Sequence, residues 1–260
     1  MSFRLARSVS HQANWQEAFL GLGDPITSDE DDRFRAAKTI STGVTQASVM
    51  SGESKNDSSP DPIRLKARGF SFEPLPGTVS ELRNIAAVLQ KSNEKVEIRV
   101  GIDATKSQLL DTDLSKFRFL HFATHGVLPV DAGIREPSLV LSYDGIAQGH
   151  MFLSMSEILG LKLQAESVVL SACNTGSGSI SRAEGVMSLG RAFLAAGSSS
   201  VVVSLWQVSD ESTALFMEDF YRNMLEGKRK DVALAAARTS LFARGYQQPF
   251  YWAPFIVIGE

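Results

Sequence analysis

Two residues carry most of the chemistry available to this 260-residue chain: its single cysteine, Cys173, and a histidine 48 positions earlier, His125. Cys173 closes the run Val168-Val169-Leu170-Ser171-Ala172-Cys173, and Asn174-Thr175-Gly176 follows it. A short, valine-rich apolar stretch reads as a buried strand, and the turn after it as the point where the chain leaves the sheet. His125 ends a run of the same kind, Phe117-Arg118-Phe119-Leu120-His121-Phe122-Ala123-Thr124-His125, with Gly126 next. An imidazole beside a thiol raises the fraction of thiolate, which is the nucleophilic form. The chemistry open to such a pair is attack on an acyl group through a thioester. His121 is a rival for the imidazole, because the period of two puts it on the same side of the strand. Its place inside the strand marks it as a hydrogen-bonded core histidine, whereas His125 stands at the strand end. His11 and His150 are expected on the surface.

For these residues to meet, the two strands must be neighbours. The separation of 48 positions suffices for a hairpin and a crossover helix. Thr78-Val79-Ser80-Glu81, Thr105-Lys106-Ser107-Gln108 and Ser154-Met155-Ser156-Glu157 each have the pattern of a capping box opening a helix. Helices are also expected over Glu184–Ala196, ended by Gly197, from Asp210 onward, and over Asp231–Phe242, with strands at Val96–Val100, Ser138–Ser142, Ser200–Leu205 and Phe255–Ile258. This alternation predicts an α/β fold with a mostly parallel sheet flanked by helices on both faces, with the functional groups at the carboxyl ends of its strands. Residues 1–26 are expected to form an N-terminal strand region, a shortened part of the domain. Residues 27–68, rich in serine and acids, are expected to be a mobile polar insertion with a short helix near residues 33–40. Residues 69–260 form the core.

Composition narrows the function classes. A net charge of −3 gives no reason to expect nucleic acid or a membrane surface as partner. One cysteine excludes an internal disulfide framework and a cysteine-based zinc site, and fits a cytoplasmic protein. The acids at 29–32 lack the spacing of a Ca²⁺ loop. Gly21-x-Gly23 lacks the third glycine of a dinucleotide loop, and no Gly-Lys-Ser/Thr follows the glycines after Cys173. No cofactor or metal is expected.

Several runs, taken in order, resemble the CHAT domain, a caspase-like family of cysteine peptidases related to separase and often joined to helical repeats. They are Leu75-Pro76-Gly77-Thr78 with Glu81, the His-Phe-Ala-Thr-His-Gly run at 121–126, the Leu-Ser-Ala-Cys-Asn-Thr-Gly run at 170–176, and Glu184-Gly185. Arg191–Gly197, Ser204–Asp210 and Tyr251–Phe255 continue the series. In caspases, too, the histidine lies roughly 50 residues before the cysteine. The resemblance implies a caspase-haemoglobinase-like fold and a cysteine endopeptidase with His125 and Cys173 as a dyad, without a third side chain from Asp131 or Glu136. The backbone N–H groups of Gly126 and Cys173 are then the natural oxyanion donors. The run Leu205-Trp206-Gln207-Val208-Ser209-Asp210 is similar to the segment in which separase holds the arginine before its cleaved bond. That similarity assigns substrate specificity for arginine or lysine to Asp210, whose plain alternative is a helix N-cap. The partners implied are a protein or peptide substrate and a helical-repeat (TPR-like) partner or regulator. The second reading is a catalytically silent CHAT scaffold, an interaction module in signalling.

Overall fold

The computed structural model describes residues 15–42, 72–129, 134–146, 148–171, 180–206 and 209–259. Cys173 lies outside them, as do His11 and Asp131.

Apolar runs with β-branched and aromatic residues become strands, and five of them lie parallel. They are β1 (Glu17–Pro25), β2 (Val96–Gly101), β3 (Phe117–Ala123), β7 (Ser167–Leu170) and β8 (Ser200–Ser204). With β9 (Phe255–Gly259), which pairs antiparallel to β8, they make a six-stranded sheet in the order β2-β1-β3-β7-β8-β9. β1, the earliest of the described strands, therefore sits inside the sheet, between β2 and β3. β3 and β7 are neighbours, with Phe122 opposite Leu170 as the last pair. Between them the chain forms the hairpin and helix that the spacing implies. These are β4 (Gly126–Val127), β5 (Ser138–Val140) and β6 (Phe152–Ser154) in a small antiparallel sheet, followed by helix α4 (Met155–Leu159).

Strand alternation divides the core into two layers. On one face Phe19, Phe119, Val169 and Val202 pack against α2 (Pro76–Lys91), α6 (Asp210–Leu225) and α7 (Lys230–Ala243). On the other, Leu120, Phe122, Leu170 and Val203 pack against α3 (Lys106–Leu110), α4 and α5 (Ile180–Ala195). Each side chain taken fully out of water there contributes about 1.5–3 kcal/mol before entropy is counted. The polar stretch after β1 opens with α1 (Asp32–Thr42), and the rest of the expected mobile insertion, 43–68, lies outside the described residues.

Two of the three capping patterns act as caps. Ser154 and Glu157 bond reciprocally at the start of α4, and Thr105 accepts from the Gln108 N–H. The third does not. α2 begins earlier, at Pro76, and its N-cap residue Leu75 has no side-chain cap. Thr78 and Glu81 lie inside the helix and turn to tertiary partners instead.

Candidate functional site

β3 ends at Ala123, and Thr124 and His125 carry the chain out of the main sheet toward β4. This strand end is covered. His125 is only 1% exposed, its ring stacks at a tilt against Phe72 with centroids 5.6 Å apart, and its Nε2 is 2.7 Å from the Glu73 carbonyl oxygen. A carbonyl oxygen only accepts, so Nε2 must carry the proton. In the neutral ring this leaves the basic lone pair on Nδ1, to which no described residue hydrogen-bonds. Burial lowers the His125 pKa below its ordinary value of 6.5, opposed by the bond to Glu73 and by the negative charges of Glu73 and Asp24. The ring is therefore held neutral, in one tautomer, as a base at neutral pH.

The covering segment, Glu73-Pro74-Leu75-Pro76, suits its place. Proline fixes φ and disfavours helix in the residue before it, so the alternation keeps the backbone extended until α2 begins. Only one N–H remains between Pro74 and Pro76, that of Leu75, and it donates to Asp24 Oδ1 at 3.0 Å. The backbone N–H of Asp24 donates to Thr78 Oγ1 at 2.9 Å, and the Thr78 hydroxyl donates to the Leu75 carbonyl at 2.7 Å. Asp24 is 7% exposed and lies at the carboxyl end of β1, where the pairing register shifts between Gly23 and Pro25. Its φ of 44° is one that Asp and Asn tolerate better than other residues with a β-carbon. Arg33, from α1, reaches its Oδ2 at 2.6 Å. Neither the Glu73 carbonyl nor Asp24 was legible beforehand. A main-chain acceptor has no residue signature, and Gly-Asp-Pro reads only as a strand stop.

Gly126 begins β4 opposite Leu139. The preceding pair is joined by a Val140 N–H bond to the His125 carbonyl, 2.8 Å. Antiparallel pairs alternate between bonded and non-bonded, so Gly126 falls on a non-bonded pair and its N–H points away from β5. A β-carbon placed on Gly126 would meet no heavy atom of the described residues within 4 Å. The other expected oxyanion donor, the Cys173 N–H, lies outside the described residues. Glu136 is occupied elsewhere, accepting from the Ser156 N–H and hydroxyl.

Asp210 is the first residue of α6 and not its cap. Ser209 is the N-cap, accepting from the Ser212 N–H. The Asp210 carboxylate lies against α2 at Gly77, so closely that a β-carbon there would stand 2.0 Å from Oδ2 and 2.3 Å from the Asp210 Cβ. Only glycine permits this approach. No described residue pairs with the Asp210 carboxylate, and its pKa is raised by burial first and then by the negative charge of Glu81. Trp206 packs at the same sheet edge, its Nε1 donating to the Phe250 carbonyl at 3.1 Å. Gly77→Ala is expected to force α2 and α6 apart and cost about 1–3 kcal/mol, as overpacking does. A urea titration of the variant beside the wild type measures it.

His121 is fully buried, on the sheet face covered by α2 and α6. Its Nε2 is 3.0 Å from Glu81 Oε1 and 3.1 Å from Ser171 Oγ, and its Nδ1 is 3.1 Å from the Tyr221 hydroxyl. A carboxylate accepts, so Nε2 carries a proton, and in the neutral ring Nδ1 then accepts from Tyr221. Burial, and then the charge of Glu81, push the Tyr221 pKa well above its ordinary value. His150, by contrast, is half exposed and 3.3 Å from Asp144. The stretch from Glu73 to Glu81 thus touches His125, Asp24, Asp210 and His121 in turn.

Among the described residues no cluster of three or more His, Cys, Asp or Glu side chains is placed to hold a metal ion, and no helix is long and apolar enough to cross a membrane. Compared with protein families, the chain matches the CHAT domain over residues 3–260. Among curated proteins it is 28% identical over 192 residues to tetratricopeptide repeat protein 28 of Homo sapiens, covering 62% of this chain and 8% of that protein. It is 25% identical over 253 residues to tetratricopeptide repeat protein 28 of Mus musculus, covering 85% of this chain and 10% of that one. The chain spans about a tenth of the length of these relatives.

Proposed function

The chain belongs to the CHAT domain family, a caspase-like family, and from that premise we propose that it is a cysteine endopeptidase working through His125 and Cys173. One observation carries the reading. His125 is fixed by the Glu73 carbonyl with its Nδ1 lone pair free of described partners, at the end of a strand paired with the strand that leads to Cys173. His125 lies three residues beyond Phe122, and Cys173 three residues beyond Leu170, the residue opposite Phe122. Nδ1 takes the thiol proton, and the thiolate sulfur bonds to the carbonyl carbon of the scissile peptide. The N–H groups of Gly126 and Cys173 bind the oxyanion. The C–N bond then breaks as the imidazolium protonates the leaving amine, and a thioester remains. Water, losing a proton to His125, attacks the thioester and releases the new carboxylate and the free thiol.

Asp210 is the selector for arginine or lysine before the cleaved bond. An exposed carboxylate without a described cationic partner, beside a second carboxylate, is stabilised by a guanidinium, which pairs with it through charge-assisted bonds. In a positional peptide library, basic residues are expected to be enriched at that position. Asp210→Ala should lose about 10–100-fold of the preference, the scale of a hydrogen bond to a charged group. Enrichment of aspartate or of an apolar residue in the wild type would reject this assignment.

A second reading, a catalytically silent interaction module, draws support from the burial of His125 beneath Phe72 and Glu73. Labelling by an iodoacetamide-type probe separates the two. Rapid alkylation of Cys173 that slows in His125→Gln supports the peptidase, and equal slow labelling in both supports the silent module. The tetratricopeptide repeat in the names of the relatives supports a helical-repeat partner, joined or separate, as the regulator of this site.

A further inference from the structure

The hydrogen bonds around Asp24 form a chain with a direction. From β1, Asp24 Oδ1 accepts from the Leu75 N–H, two residues after the carbonyl that fixes His125. Its own N–H is held by Thr78, one turn into α2. Its second oxygen is held by Arg33, whose guanidinium is in turn bound by Asp31 at 2.8 Å. The excursion that leaves the sheet after β1 is therefore tied to Asp24 on its way out, by Arg33, and on its return, by Leu75 and Thr78. The register shift at the end of β1 re-aims this one side chain. Its positive φ is the kind of backbone cost that persists only where surrounding bonds over-determine it.

We propose that Asp24 is a positioning residue for His125. Its carboxylate anchors the Phe72–Leu75 backbone, and through the Glu73 carbonyl that backbone sets the tautomer and orientation of the imidazole. Asp24 touches no reacting atom. It acts through two links, Leu75 N–H to Oδ1 and Glu73 carbonyl to Nε2–H, with Arg33 holding the carboxylate in place. This assignment rests on the peptidase reading only for its catalytic consequence, since the tautomer of His125 is a property of the resting protein.

The test compares wild type, Asp24→Gly and Asp24→Asn in the full chain with ¹⁵N-labelled histidine. Glycine accepts the positive φ and removes the carboxylate, whereas asparagine accepts the same φ and keeps an acceptor for Leu75. In the wild type the two His125 ring nitrogens should show well-separated shifts, the signature of a single Nε2–H tautomer. In Asp24→Gly they should converge, and kcat should fall about 10–100-fold with KM changing less than twofold, as for a misplaced catalytic group. Asp24→Asn should recover the separated shifts. Unchanged shifts in a folded Asp24→Gly would overturn the proposal, and so would an asparagine variant that behaves like glycine, because the anchor would then not be the hydrogen bond to Leu75. If the wild type cleaves no peptide, the shifts alone still decide the role of Asp24, while the peptidase reading falls separately.

Discussion

His125→Gln is expected to lower kcat/KM for peptide hydrolysis by about 10²–10⁴-fold, the usual contribution of a positioned acid–base group. Cys173→Ala should leave no acyl-enzyme at all. Glutamine is the informative replacement because an amide N–H can still donate to the Glu73 carbonyl, so the loss is one of proton transfer and not of the buried contact. His125→Ala would mix the two, since the ring is buried against Phe72. The pH dependence follows from the lowered pKa. His125 gains its proton only below 6.5, its ordinary value, so the acid limb assigned to it in a plot of kcat/KM against pH should lie below 6.5 in the wild type. The stability term has the same sign. Protonation is harder in the folded state, so this contribution is complete above the unfolded value and is lost as pH falls through the folded one. Stopped assays across pH, with a melt at each pH, measure both.

His121→Ala should be far more damaging to the fold than to any reacting atom. Removing the ring leaves the buried carboxylate of Glu81 and the hydroxyl of Tyr221 without their shared partner. Leaving those buried groups unpaired costs about 1–3 kcal/mol, and more for the carboxylate, a large part of the roughly 5–15 kcal/mol stability of a domain. Tyr221→Phe, which removes one hydroxyl and keeps the packing, should cost only about 1 kcal/mol. Urea unfolding of the two variants gives the comparison. A wild-type-like unfolding curve for His121→Ala together with lost activity would exchange the roles of the two histidines.

The sheet was legible because its signals are side-chain patterns. Valine-rich runs marked β7 and β8, aromatic alternation marked β3, and the 48-residue spacing implied adjacent strands. The site was legible only in part. Period two could not separate His121 from His125, but the place of His121 inside the strand marked it as a hydrogen-bonded core histidine, which it is. Glu81 illustrates what failed. Its pattern with Thr78 satisfies the local rule for a capping box, yet a buried imidazole and the Asp24 N–H compete for those two side chains and win. The covered state of His125 was missed for a related reason. Strand ends are usually open, and what closes this one comes from a segment about fifty residues earlier in the chain.

The interior position of β1 also governs when the molecule can form. Glu17 pairs with Phe117, a hundred residues later, and β2 on the other side is itself nearly eighty residues away. Such pairings bring no local reward, and their closure entropy must be met before any apolar surface is covered, so a sheet of this connectivity assembles slowly. During synthesis the apolar run Ala18-Phe19-Leu20 is made before both of its partner strands, and its pairing is complete only when β3 has left the ribosome. The order of assembly is thus set against the order of translation. Unstructured chain inserted between β1 and α2 would cost little, because each doubling of a flexible loop costs only about 0.6 kcal/mol. Chain added there after the end of α1 would lengthen the wait of β1 without altering the strand pairs it finally makes.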